Sequence, residues 1–173
     1  MSNEERTILK LYKLVKLGYV PSRGLQHYSK STARLVNCFE HAFYGLTNAQ
    51  IKTAGLDLED KETFGNIFSK KPMQDDIQKM FYFVRETGLK IEECDYSAVV
   101  KMPEVKVALY FQKNLFREDF HFYREEKSRF GKTFWTGKAG FSSIVQKERD
   151  LDMHMNGYSY HGCYKISNPN IDK

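Results

Sequence analysis

The chain has 173 residues, 41% hydrophobic, 14% aromatic and 28% charged. That composition is globular, and the length suits one domain with a proper core better than two. Its net charge of +5, from 27 basic and 22 acidic residues, is too mild to argue for nucleic acid.

Three cysteines cannot all pair within one chain. Met1 to Arg6 is polar and charged, and no stretch is long and apolar enough to span a bilayer. The expectation is a cytoplasmic protein with free thiols.

Glu4 to Leu17 spaces Ile8, Leu9, Leu11, Leu14, Val15 and Leu17 as one face of a helix, with Lys10, Lys13 and Lys16 on the other. Gly18 and Pro21 end it, and such a helix docks on its own domain. Val20 to Arg34 reads as a long loop in which Ser29, Ser31 or Thr32 caps a short turn. A second helix spans residues 37–45, with Asn37 as its N-cap and Phe39, Ala42 and Phe43 at helical spacing. Thr47 to Ala54 is a third, capped by Thr47. Gly55 to Pro72 reads as a loop with a helical turn, and Met73 to Glu86 as a helix burying Ile77, Met80, Phe81 and Val84, closed by Gly88.

Beyond Gly88 the period changes from helix to strand. Strands are expected at 89–92, 105–111, 118–124, 133–137 and 158–166, with Asn114 to Glu118 and Lys127 to Lys132 as turns. Ala139 to Asn156 reads as a charged connection holding a short helical piece. Helices first and mostly antiparallel strands afterwards make an α+β domain with a sheet of about five strands.

Two stretches carry chemistry. In Glu118 to Arg124 the alternation puts Asp119, His121 and Tyr123 on one face of a strand and Phe120, Phe122 and Arg124 on the other. In Asn37-Cys38-Phe39-Glu40-His41-Ala42, Cys38 is the first helical residue, where free N–H groups and the positive helix end favour a thiolate. A sulfur at that helix end facing His121 on the sheet makes a thiolate–imidazole pair. Cys94 stands in the negative field of Glu92, Glu93 and Asp95, and Cys163 reads as core. His161 and Cys163 fall on one face of a regular strand, but further ligands at metal-binding spacing are missing, so neither metal nor cofactor is expected. His27, His41 and His154 read as solvated or structural.

The order Asn-Cys-aromatic-x-x-Ala, then Asp-aromatic-His-aromatic-Tyr-Arg, then Trp-Thr-Gly-Lys-x-Gly resembles a group of small proteins from phages and Gram-positive bacteria. These are related to papain-like cysteine hydrolases, including the NlpC-type amidases. The resemblance runs from about Asn37 to Ile166 and includes Tyr158-x-x-x-Gly162-x-Tyr164. It implies a papain-like fold with Cys38 as nucleophile and His121 as base, in the host cytoplasm if phage-encoded. Such sites carry a third polar residue that orients the imidazole. Gly137 stands where one is expected, Asp119 is about 7 Å along the strand from His121, and Thr136 or Asn156 can substitute. Asn37, Tyr123 and Trp135 are expected to line the cleft.

Two functions follow. One is a cysteine hydrolase or acyl-transferase acting on an amide, isopeptide or thioester bond of a protein or peptide. The other is a catalytically inactive binding protein that disables a host or defence protein by occupancy.

Overall fold

The computed structural model describes residues 1–19, 27–56, 74–113, 118–140 and 142–171. The loop expected at Val20 to Arg34 lies partly outside these, as does most of Gly55 to Pro72. The turn at Asn114 to Glu118 is described only at Glu118.

Four of the helices start where side chains answer their free N–H groups. α1 (Asn3–Lys16) opens on a capping box between Ser2 and Glu5. It buries Leu11, Leu14 and Val15, while Leu9 and Leu17 stay exposed. Ser29 caps the single turn of α2 (Lys30–Ala33). α3 (Cys38–Tyr44) begins at Asn37 and stops at Gly45, whose left-handed φ of 53° suits a residue without Cβ. Thr47 caps α4 (Asn48–Thr53). α5 (Gln74–Glu86) buries the expected stripe of Ile77, Met80, Phe81 and Val84.

The described strands form one antiparallel sheet: β1 (Lys90–Cys94), β2 (Val105–Lys113), β3 (Glu118–Lys127), β4 (Thr133–Lys138), β5 (Val145–Glu148), β6 (His154–Met155) and β7 (Tyr158–Ser167). Their order is β1-β7-β2-β3-β4-β5, with β6 paired to β7. The α+β layout stands, but the sheet has seven strands where about five were expected. The extra two fall in the 139–156 connection, at the place of its expected helical piece. β5 is short and carries one apolar residue, Val145, beside Gln146, Lys147 and Glu148. That is how an edge strand avoids stray pairing, and it hides the strand from a hydrophobic pattern. β6 is half of a tight hairpin turned by Asn156 and Gly157, both at positive φ.

The sheet is covered on both faces. α3 packs on β3 and β4, in a core that joins Phe39, Phe43 and Phe83 to Phe120, Phe122, Val107, Leu109 and Ile166. The other face gathers Ala108, Tyr110, Tyr123, Trp135, Leu151 and Cys163. A register shift between Leu109 and Tyr110 adds one residue to β7, so Tyr110 pairs with Tyr160 and Leu109 with Gly162. His161 is the extra residue. Its ring packs on Phe111, which borders the helix-side core, while Tyr160 packs with Cys163 on the opposite face. The shared face expected for His161 and Cys163 is therefore broken by the bulge.

β3 also positions the candidate site. β2 follows it from Arg124 to Glu118, but β4 pairs only with Tyr123 to Lys127. Among the described residues no strand covers Glu118 to Phe122 on the β4 side, and the start of α3 meets β3 there.

Candidate functional site

Asn37 caps α3 as its sequence requires. Its Oδ1 accepts the Phe39 and Glu40 N–H groups at 2.8 and 3.4 Å, and the Glu40 carboxyl accepts the Asn37 N–H at 2.8 Å. All seven helical residues are buried, and Cys38 is 7% exposed. The Phe122 N–H at the uncovered edge of β3, one residue along the chain from His121, faces the Cys38 sulfur and favours its ionised form. Burial pushes the Cys38 thiol up to about 12. Glu40 and Asp119 add to the rise, against the Phe122 N–H and Lys138.

The thiolate expected at this helix end is thus not favoured. A helix terminus contributes at most about 2 kcal/mol, whereas the rise from 9 to about 12 corresponds to about 4 kcal/mol. Desolvation wins, and a carboxyl in the first turn sides with it.

His121 is half-buried, and burial pushes its imidazole down to about 4, opposed by Asp119. A Cβ on Gly137 would lie 2.9 Å from the His121 Nε2 and 2.9 Å from the Tyr123 ring. This is the reason for glycine there: the imidazole leans over the β4 backbone and fills the space a third residue would take.

The candidates for orienting His121 are engaged elsewhere. Asp119 accepts the Tyr158 hydroxyl at 2.7 Å and the Phe120 N–H at 2.9 Å. Thr136 lies on the opposite face of the sheet, 3.1 Å from the His41 Nε2, and donates to Glu126 at 3.5 Å. Asn156 stands at the β6–β7 turn beside the Tyr123 phenol, whose ionised form it favours. Tyr123 itself is buried against Tyr110 and His121, so it packs the sheet rather than lining a cleft. Trp135 does line a groove, further along β3, where it stacks on Tyr96 with centroids 5.5 Å apart. That groove, about 430 Å³, is bordered by Val99, Lys106, Glu125, Lys127 and Arg149.

The most concentrated polar chemistry lies beneath α3. His41 is fully buried, its Nδ1 2.8 Å from the Tyr28 hydroxyl and its Nε2 on Thr136. Burial, with Arg124, Lys138 and His121 nearby, pushes its imidazole down to about 3. Glu126 joins Thr136 to Arg124, whose Nε stands 3.4 Å away. Lys138, fully buried, donates to the carbonyls of Ala33, Val36 and Gly140. Burial pushes the Glu40 carboxyl up to about 8 and the Lys138 ammonium down to about 8. The signal for this cluster was the parity of β3, which places Arg124 and Glu126 with Phe120 and Phe122.

No family model, curated protein or solved structure matches the chain.

Proposed function

We propose that the protein is a binding protein on a papain-like arrangement of α3 against β3 and β4, with Cys38 and His121 serving as packing groups. The observation that carries this reading is the state of the pair. Burial disfavours the charged form of both Cys38 and His121, and Asp119 and Thr136 hold other partners. Buried thiols of this kind are inert.

The partner is a protein segment, a host or defence protein if the chain is phage-encoded, seated at the groove beside Tyr96 and Trp135. The groove has the size and mixed lining of a recognition site. Val99 lines it and is 82% exposed, and Phe130 stands 77% exposed on the adjoining β3–β4 turn. Aromatic anchors beside Lys127 and Arg149 fit an interface hot spot.

One observation favours the hydrolase or acyl-transferase: the Cys38 sulfur faces the Phe122 N–H in the strand that also carries His121. That reading needs Cys38 to pass its proton to His121 and attack a carbonyl carbon. Cys38, however, belongs to the helix-side core, while His121 packs on Tyr123 over Gly137 on the other face of the sheet. Iodoacetamide at pH 6, with the modified residues mapped by mass spectrometry, separates the two. Slower labelling of Cys38 than of half-buried Cys94 is expected. Labelling of Cys38 ahead of Cys94 and Cys163 would remove the binding reading and leave the enzyme.

A further inference from the structure

Cys94 ends β1 and Cys163 lies within β7, and the register makes them direct cross-strand partners. Directly opposed residues of an antiparallel pair have Cα atoms about 4.5 or 5.5 Å apart, depending on their place in the hydrogen-bond pattern. Both spacings fall within the roughly 4.4–6.8 Å that a disulfide spans. The two side chains leave the sheet on the same face, since both pack in the cluster of Tyr110, Trp135 and Tyr160. On the far side of Cys163 the partner is Ala108, whose methyl leaves the row uncrowded.

We propose that Cys94 and Cys163 form a redox-modifiable dithiol that closes into a cross-strand disulfide when the protein meets a peroxide. Cys94 is half-buried and Cys163 is buried, so the oxidant meets Cys94 first. The Cys94 sulfur, as thiolate, attacks one peroxide oxygen and breaks the O–O bond; the other oxygen leaves as hydroxide and takes up a proton to become water. The product is a Cys94 sulfenic acid. The Cys163 sulfur, releasing its proton, then attacks the Cys94 sulfur. The S–O bond breaks, and its oxygen leaves as a second water. Two thiols and one hydrogen peroxide become one disulfide and two waters.

Neighbouring groups serve both steps. Lys106 lies near enough to favour the thiolate at each cysteine, and the Tyr160 hydroxyl beside Cys163 favours it there as well. Cys38 takes no part: it belongs to the helix-side core, whereas this pair lies on the other face. The bond would tie β1 to β7 at the residue where the loop carrying Tyr96 and Val99 begins, so the oxidation state bears on one wall of the groove.

The test treats the folded, full-length protein with hydrogen peroxide, then maps its peptides after alkylation under denaturing conditions. The expected result is a loss of two hydrogens, one peptide pair linked through Cys94 and Cys163, an alkylated Cys38, and reversal by dithiothreitol. Cys94→Ser, at a half-buried position, should abolish the mass change while keeping the far-ultraviolet circular dichroism spectrum, and Cys38→Ala should leave the link intact. Cys94 recovered only as sulfinic acid, a link through Cys38, a link between two chains, or both thiols still free would overturn the proposal.

Discussion

Lys106 and Arg124 are both buried cations of the central strands, and they are treated in opposite ways. On the face away from the helices, Lys106 gives its ammonium to Glu125 at 3.0 Å and to the carbonyls of Tyr96 and Ala98 at 2.7 and 2.9 Å. Its three donors have three acceptors, with the rings of Tyr96 and Trp135 beside it. On the helix face, none of the three guanidinium nitrogens of Arg124 has a hydrogen-bond partner among the described residues, although Glu126 stands 3.4 Å away. One face has solved its polar accounting and the other has not. A half-satisfied buried network is the sensitive part of a fold.

The largest effect should come from taking away the counter-charge. Glu126→Leu leaves Arg124 buried and unpaired, and a loss of about 3–5 kcal/mol is expected in urea unfolding. Adding Arg124→Met should restore most of it, because an apolar pair of similar volume needs no compensation. If the double variant is no better than the single, Arg124 has acceptors other than Glu126 and the contrast with Lys106 fails.

Next comes the glycine under which Arg124 lies. A Cβ on Gly45 would stand 1.4 Å from the Arg124 Nη1, and the backbone there has φ +53°. Overpacking and the left-handed conformation together should make Gly45→Ala cost about 2–4 kcal/mol. With Arg124→Met in the background the cost should drop toward the backbone part alone, which thermal melts of the four proteins would resolve.

How far the sequence reached differs between these two faces. The parity of Glu118 to Arg124 already put Arg124 with Phe120 and Phe122, so its burial was legible. Helix boundaries followed from caps such as Asn37 and Thr47, because those residues act on the backbone beside them. The state of Cys38 was not legible, since helix position is local but desolvation depends on strands about eighty residues further on. His161 was misplaced because strict alternation assumes no bulge, and only pairing with β2 creates one. β5 escaped notice because an edge strand is selected for charge, not for hydrophobic pattern.

The helix face should also set the pH response. Glu40 is raised to about 8 in the fold, so the folded state holds an extra proton and stability falls as pH rises toward 8. His41 and His121 are lowered to about 3 and about 4, so their contribution is complete above the ordinary histidine range and is lost as pH falls. Together these groups place the stability maximum near pH 6.5. From there to pH 8 Glu40 by itself should withdraw about 2 kcal/mol, opposed by the histidines and by Lys138, which is lowered to about 8. Glu40→Gln, which keeps an acceptor for the Asn37 N–H, should remove that share so that the limb no longer falls. An unchanged slope in the variant would show that another group governs it.

The smallest effect belongs to the satisfied face. Tyr96 stacks on Trp135 at an interplanar angle of 13°, and its hydroxyl meets the backbone of Leu151 as both donor and acceptor. Tyr96→Leu removes an aromatic pair worth about 0.5–1.5 kcal/mol. It leaves the bonds of Lys106 in place, because that ammonium uses the carbonyl of residue 96 and not its ring. The expected loss is about 1 kcal/mol, and since Trp135 is the single tryptophan, its emission should move to the red as one ring face is uncovered. A loss as large as that of Glu126→Leu would mean that the loop at residue 96 holds Lys106 through its ring, and that both faces depend on their buried cations alike.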